Sequence, residues 1–328
     1  GIGIFAAVVF LSFVAIFFYT LNTTVSDFSG GDVANINQIY YNFFHGRPFQ
    51  LTTYLGESVQ FHNPYPYFNV LVVHGFILGT AIVSFFYIFW PGVNTMYAVF
   101  IALNFFGFAF FTFKIVKRLS PSNAYLKSLL AFSVFLSSGY LLQTVAKGIP
   151  ITLAGPFILA AYYFLISEKK YAFFLTIVSL CLIQEDLALF AMTFLIVLLI
   201  FERKCKKAVY LSLAFSIGYF ILWNLILQPV LRYDMILIDN GISSMLLARF
   251  RSMLETLFSW RPDTRKILII FSSFYLPVLA AVIIHRFFGV LRKLPWLKLF
   301  SFIVLAPAAH LIYGTFCLFG PYLVPALT

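Results

Sequence analysis

Charged side chains are scarce in this 328-residue sequence, because Asp, Glu, Lys and Arg make up 10% of it while hydrophobic residues make up 62%. A soluble domain is about a quarter charged, so the composition excludes a soluble enzyme, a nucleic-acid-binding module and a disordered segment. Cysteine is also scarce. Cys181, Cys205 and Cys317 form no CxxC pair, so we expect neither a disulfide framework nor a zinc site.

Aromatic and aliphatic residues fill the chain instead, with 43 Phe, 19 Tyr and a mean hydropathy of +0.96. This predicts an all-α, polytopic bundle of transmembrane helices, each built from ~20 mostly apolar residues. Eight apolar runs are candidate helices: 2–21, 67–89, 93–113, 128–146, 151–166, 208–227, 267–288 and 299–316.

The apolar run 171–201 is too long for one ordinary span and is interrupted by Gln184, Glu185 and Asp186. Carboxylates are costly in lipid. We therefore predict two short helices that form a hairpin and meet at the outer membrane surface.

Lys and Arg are concentrated in some loops, and short basic loops stay on the cytoplasmic side of a membrane. The loops at 114–127, 169–170, 203–207 and 292–298 are therefore predicted inside. The single membrane-embedded domain, 1–328, then has a first helix at 1–21, a first outer loop at 22–64, a bundle at 65–227, a second outer loop at 228–266 and C-terminal helices at 267–328. An odd number of crossings must separate the first outer loop from the basic loop at 114–127. One of the two segments between them, 67–89 or 93–113, is therefore predicted to be re-entrant or interfacial.

The first outer loop has helical spacing from Asp32 onward. Asp32, Asn35, Gln38, Asn42 and His45 fall on one side of that helix, and apolar residues fall on the other. The pattern predicts an interfacial helix that ends before Gly46. Its polar side either is solvated or lines a protein cavity.

Several residues of this loop carry a family resemblance. Asp32, Gln38, the segment 45–49 (His-Gly-Arg-Pro-Phe) and His62 before a Pro-rich helix start resemble the first-loop signature of an uncharacterised prokaryotic membrane protein family, domain of unknown function 2079. The segment 184–186 is similar to that family's Lys-Glu-Asp segment. The family is grouped with the GT-C glycosyltransferases.

The resemblance implies a GT-C-like glycosyltransferase of a prokaryotic cytoplasmic membrane, which transfers a sugar from a polyprenyl-phosphate donor on the outer face. Asp32 is then the candidate catalytic base and Asp27 the second candidate. Gln38, His45, Arg47 and His62 are candidate substrate-binding residues. Glu185 and Asp186 are candidates to bind substrate or, with Asp32, a divalent cation such as Mg²⁺ or Mn²⁺. Alternatively, the carboxylates of Glu185 and Asp186 only cap the helix predicted to start at Leu187.

The second outer loop carries arginines among apolar residues at helical spacing. Arg249, Arg251 and Arg261 are candidates to bind the lipid phosphate of the donor, because the guanidinium group suits phosphate oxygens. An interfacial helix that pairs with anionic lipid headgroups is the alternative.

Two other functions remain open at this stage. The first is a non-catalytic subunit of a larger membrane complex, with other membrane subunits as partners. It is suggested by the late stretch 318–322, which lacks the His that the family carries there. The second is a transporter. Membrane lipids are expected partners under every interpretation, and nucleic acid is not.

Overall fold

The computed structural model describes residues 1–24, 41–43, 45, 50–51, 68–69, 77–137, 153–184, 186–201 and 205–223. Within these ranges the chain is helical, apart from turns and one two-residue β pair, so the predicted all-α class is confirmed there. The helices are α1 (Ile2–Thr24), α2 (Ile77–Tyr87), α3 (Val93–Leu119), α4 (Ala124–Ser137), α5 (Ala154–Ile166), α6 (Lys170–Ile183), α7 (Asp186–Phe201) and α8 (Lys206–Ile221). The β pair joins β1 (Gln50–Leu51) to β2 (Phe68–Asn69) in antiparallel register, with Gln50 opposite Asn69 and Leu51 opposite Phe68.

Two of the described helices are long and apolar enough to cross a membrane. They are Ile2–Asn22 of α1, with mean hydropathy 2.6, and Asn94–Leu119 of α3, with mean hydropathy 2.0. The apolar segments Ala154–Ile166, Lys170–Ile183 and Leu187–Ile200 are shorter.

Two helices organise the packing of the others. α3 contacts α1, α2, α4 and α5, and α6 contacts α2, α5, α7 and α8. The core is rich in phenylalanine. For example, the fully buried Phe105 ring lies 5.9 Å from that of Phe132 and 5.4 Å from that of Phe135, both in edge-to-face geometry.

Contacts between side chains fix the directions of the first helices. α1 runs antiparallel to α3, because the Phe5 ring lies 6.1 Å from that of Phe113 and the Phe13 ring 5.4 Å from that of Phe106. The start of α1 also lies beside the start of α4, where Gly1 is against the ring of Tyr125.

α5 runs parallel to α3. Near the middle of α3, Gly107 faces Pro156 near the start of α5, and at its end the Arg118 Nε donates a hydrogen bond of 3.0 Å to the Ile166 carbonyl. α6, α7 and α8 follow through short connections, and each packs against the helix before it. Successive helices joined in this way are antiparallel. α6 and α8 therefore begin at the end of the bundle where α3 and α5 finish.

These directions bring the described lysines and arginines to one end of the bundle, which we call the basic end. It contains Lys114, Lys117, Arg118, Lys127, Lys169, Lys170, Lys206 and Lys207. The opposite end, called the distal end, contains the end of α1, the turn between α2 and α3, and the α6–α7 junction.

The prediction of a loop at 114–127 was wrong in extent, because α3 continues to Leu119 and α4 begins at Ala124 rather than at residue 128. Lys114, Lys117 and Arg118 therefore lie on helix α3. Lys and Arg are good helix formers, and cations at a helix C-terminus offset its dipole. The ammonium groups of the two lysines also lie over aromatic rings, since the Lys114 Nζ is 5.3 Å from the Phe110 ring centroid and the Lys117 Nζ is 6.0 Å from that of Phe113.

The prediction of one helix over 67–89 was also wrong, because Phe68 and Asn69 pair with β1 and the described helix α2 begins at Ile77. The 11 described residues of α2 rise ~16 Å. A short turn then leads into α3, held by a hydrogen bond from the Thr95 hydroxyl to the Trp90 carbonyl and by Gly92 at φ 146°.

The split of the run 171–201 is confirmed. α6 ends at Ile183 and α7 begins at Asp186. The run 151–166 contains α5. The run 208–227 overlaps α8, which begins two residues earlier, at Lys206. The predicted helices 267–288 and 299–316 lie outside the described residues.

Candidate functional site

The α6–α7 junction is the interruption predicted from Gln184, Glu185 and Asp186. Gln184 is buried and extended, with φ −158° and ψ 144°, and its carbonyl accepts a hydrogen bond of 3.0 Å from the Leu187 N–H. α7 thus begins at Asp186, one residue before the predicted Leu187. The first turn of a helix favours a carboxylate, so the backbone position of Asp186 suits the capping role left open by the sequence.

His45 is the described member of the first-loop candidates. Residues 41–43 are helical, and the His45 N–H donates to the Asn42 carbonyl at 3.1 Å. The imidazole stacks on the Tyr41 ring at 4.0 Å between centroids, and its Nδ1 is 2.7 Å from the Tyr41 carbonyl. Nδ1 must carry the proton for this hydrogen bond, so Nε2 is the ring nitrogen available to a ligand in the neutral form.

Asn42 and His45 were predicted to share one polar side of this helix. Asn42 is buried, whereas His45 is exposed. The polar side is therefore not simply solvated at Asn42, which faces protein.

The end of α1 and the start of α7 lie at the same end of the bundle, the distal end. α1 finishes there at Thr24, so the first loop leaves from that end, and α7 begins there at Asp186. The described cations all lie at the other end. The end of α1 and the start of α7 are therefore separated from the described cations by the length of the bundle, while the positions of the candidate loops themselves stay a prediction.

The remaining candidate residues lie outside the described residues. They are Asp27, Asp32, Gln38, Arg47, His62, Glu185, Arg249, Arg251 and Arg261. In the described ranges no group of three or more His, Cys, Asp or Glu side chains is close enough to hold a metal ion.

A buried polar seam between α6 and α8 was not predicted from the sequence. Ser212 and Ser216 of α8 are fully buried, and the Ser216 Oγ lies 3.5 Å from the Cys181 Sγ of α6 and donates to the Ser212 carbonyl at 2.9 Å. Together with buried Ala208 they form a stripe of small residues at a spacing of four. Small residues at this spacing let helix backbones approach closely, as is common in membrane bundles. The spacing of four between these small residues was the sequence signal from which the seam could have been predicted.

Searches of family models, of curated proteins and of solved structures found no match to this chain.

Proposed function

We propose that the chain is a multi-pass membrane protein whose basic end faces the cytoplasm. In membrane helix bundles, Lys and Arg are concentrated on the cytoplasmic side. Exposed Tyr125, Tyr171 and Tyr210 lie near the cations, and exposed Phe89 and Trp90 lie at the distal end. Aromatic residues at both ends of apolar helices are typical of the two membrane interfaces.

In this proposal α2 is the re-entrant segment, because the orientation requires an odd number of crossings between the first loop and the basic end. α1 leads to the distal end and α3 returns to the basic end, so α2 must enter and leave on the distal side. The strand at Phe68 and Asn69 leaves fewer residues for a helix here than the predicted 67–89, which supports this assignment.

Single cysteines in a cysteine-free background test this orientation. Ser29→Cys in the first loop should react with a membrane-impermeant maleimide added to intact cells, and Glu168→Cys at the basic end should react only after permeabilisation. Labelling of both positions from the same side would overturn the orientation.

We propose further that the distal end carries a GT-C-like glycosyltransferase site, which uses a polyprenyl-phosphate sugar. One observation supports this proposal: α1 ends and α7 begins at the same end of the bundle, away from the described cations. In this proposal Asp32 is the general base towards the acceptor and Asp27 is its second candidate. Arg249, Arg251 and Arg261 hold the departing lipid phosphate, because cationic donors stabilise charge that develops in the transition state.

Within this site, Gln38, His45, Arg47 and His62 position the donor and acceptor. Glu185 and Asp186 order the site or hold a divalent cation such as Mg²⁺. His45 would act through Nε2, because Nδ1 is engaged with the Tyr41 carbonyl.

Sugar transfer by the purified protein tests the catalytic proposal. Asp32→Asn keeps the size of the side chain but removes its basicity, so turnover should fall by a factor of ~100 to 10,000 with an unchanged melting temperature. Asp27→Asn is the matched control and should lose less. An Asp32→Asn protein as active as wild type would exclude Asp32 as the base.

A non-catalytic membrane subunit is the second candidate function, and it is favoured by the local roles of two candidate residues. His45 closes a helical turn, and Asp186 occupies the first position of α7. Wild-type inactivity across a broad panel of lipid-linked donors, together with stable co-purification of another membrane protein, would favour this function over the enzyme.

A further inference from the structure

Two pairs of exposed lysines occupy equivalent positions on neighbouring helices at the basic end. Lys169 and Lys170 stand at the start of α6, and Lys206 and Lys207 at the start of α8. α6 and α8 pack together and begin at the same end. A tyrosine follows each pair within about one turn: Tyr171 is 88% exposed and Tyr210 57% exposed. We call these six residues the lysine–tyrosine surface.

The electrostatics of the two helices do not favour lysines at these positions, which are helix N-termini. The N-terminus of a helix carries partial positive charge, and neither α6 nor α8 has an acidic residue in its first turn. Each pair has one glutamate nearby in the sequence, Glu168 and Glu202. The second pair is also preceded by Arg203 and Lys204, so the surface keeps a positive balance.

The other described cations at this end have partners within the protein. The Arg118 Nε binds the Ile166 carbonyl, and the Lys127 Nζ donates to Ser120 Oγ at 2.5 Å and Ser122 Oγ at 3.5 Å. The Lys114 and Lys117 ammonium groups lie over phenylalanine rings. These contacts indicate that the four cations stabilise the helix ends. The lysine–tyrosine surface is instead exposed at the end of the bundle.

We infer that the lysine–tyrosine surface binds the phosphate headgroups of anionic phospholipids in the leaflet at the basic end. The inference rests on the proposed membrane orientation, but not on the proposed sugar transfer. Lysine ammonium groups attract anionic headgroups near a membrane surface. Tyrosine suits the adjacent interface because its ring is apolar and its hydroxyl is polar. The two pairs on adjacent helices present several cations to the same patch of leaflet.

The test titrates the purified full-length protein in a neutral detergent with short-chain phosphatidylglycerol, phosphatidylcholine or inorganic phosphate, and follows bound lipid by native mass spectrometry. Wild type should prefer phosphatidylglycerol over phosphatidylcholine. Each Lys→Gln change in the surface should lower that preference roughly fivefold, as expected for a lysine at an anionic membrane surface. Inorganic phosphate at the same concentration should not compete.

Lys127→Gln is the matched control, because it removes the same charge at the same end from an ammonium group that binds two serines. It should leave the lipid preference unchanged. An equal preference in wild type and in the variant with all four lysines replaced would overturn the inference, as would full competition by inorganic phosphate. Resistance of wild type to extraction from membranes by alkaline carbonate is measured in parallel. A carbonate-resistant protein without lipid preference would contradict this inference alone, while a carbonate-extractable protein would contradict the membrane proposal.

Discussion

α1 and α3 meet the same length and composition criteria for a membrane span, yet they occupy different environments in the bundle. In the most apolar window of α1 11% of the residues are buried, against 44% in α3, although α1 has the higher mean hydropathy, 2.6 against 2.0. The more hydrophobic helix is therefore the more peripheral one. Hydropathy here reports how much of a helix faces outward, and it does not identify the helix that organises the core.

The polar residues of α3 explain the difference. Asn104 and Thr112 are buried, and the Asn104 Nδ2 donates a hydrogen bond of 2.8 Å to the Phe100 carbonyl. A helix surrounded by other helices can hold polar side chains that find partners there, whereas a surface that faces lipid cannot. α1 instead exposes large apolar residues: Ile2, Ile4, Phe10, Leu11 and Phe18.

The largest test of this contrast truncates one phenylalanine in each helix. Phe105→Ala in α3 should lower the free energy of unfolding by about 3–5 kcal/mol, because the ring is fully buried between Phe132 and Phe135 and its loss leaves a cavity. Phe10→Ala in α1 should cost under about 1 kcal/mol, because that ring is 55% exposed. Chemical denaturation in one detergent compares them, and equal losses would contradict the assignment of α1 to the periphery.

A smaller effect is expected from filling a glycine position in each helix. A Cβ at Gly107 of α3 would lie 3.0 Å from the Cβ of Pro156 in α5, and nothing lies within 4 Å of one at Gly3 of α1. The proline ring has no rotamer that swings away, so Gly107→Leu should cost about 1–3 kcal/mol through overpacking. Gly3→Leu should instead stabilise α1 by up to about 0.5–1 kcal/mol through helix propensity. A stabilising Gly107→Leu would show that α3 and α5 are not closely packed.

Among the substitutions in α3, the smallest expected change in the free energy of unfolding comes from one at its C-terminal end. Arg118 caps α5 through the Ile166 carbonyl, whereas neither end of α1 carries a charged residue. Arg118→Ala should lower the free energy of unfolding by about 1 kcal/mol, the typical net contribution of one hydrogen bond at an exposed site. Arg118→Lys keeps the charge and loses the Nε–H. If it retains full stability, charge rather than this hydrogen bond supports the helix end.

The features that could be predicted from the sequence are those that depend on local composition. The polar triplet 184–186 interrupts a uniformly apolar run, and the helix break lies there. The strand at the start of the run 67–89 was not predictable in the same way, because the apolar composition of the run is continuous. Phe68 and Asn69 pair with a strand that lies 17 or more residues earlier in the chain. The extension of α3 was missed because charged residues were taken to mark a loop, although the ammonium groups of Lys114 and Lys117 lie over phenylalanine rings of the same helix.

The position of the candidate site stays a prediction, because most of its residues lie outside the described ranges. Charge asymmetry predicts that the candidate loops lie opposite the cations. Among the described residues, α1 ends and α7 begins at the end of the bundle opposite the lysines. The hydrogen bond between the His45 Nδ1 and the Tyr41 carbonyl was not predictable from the sequence alone. The two residues are four apart, and they come into contact because residues 41–43 are helical. The seam of Ser212 and Ser216 against Cys181 likewise requires knowledge of which helices are neighbours.

The turns at the basic end contain positions where a substitution should stabilise the protein without changing its distal end. Asn123, Glu168 and Cys205 adopt left-handed conformations, with φ of 52°, 58° and 56°, and all three lie in turns of the basic end. At Glu168 the turn is a Schellman motif, in which the Lys169 N–H binds the Phe164 carbonyl at 2.9 Å and the Glu168 N–H binds the Leu165 carbonyl at 3.0 Å. Glycine adopts this conformation without steric cost, so Glu168→Gly should raise the free energy of unfolding by about 0.5–1 kcal/mol. A more robust protein obtained in this way would keep every residue of the proposed sugar-transfer site, and would therefore be suited to the prolonged donor and acceptor screens which that proposal requires.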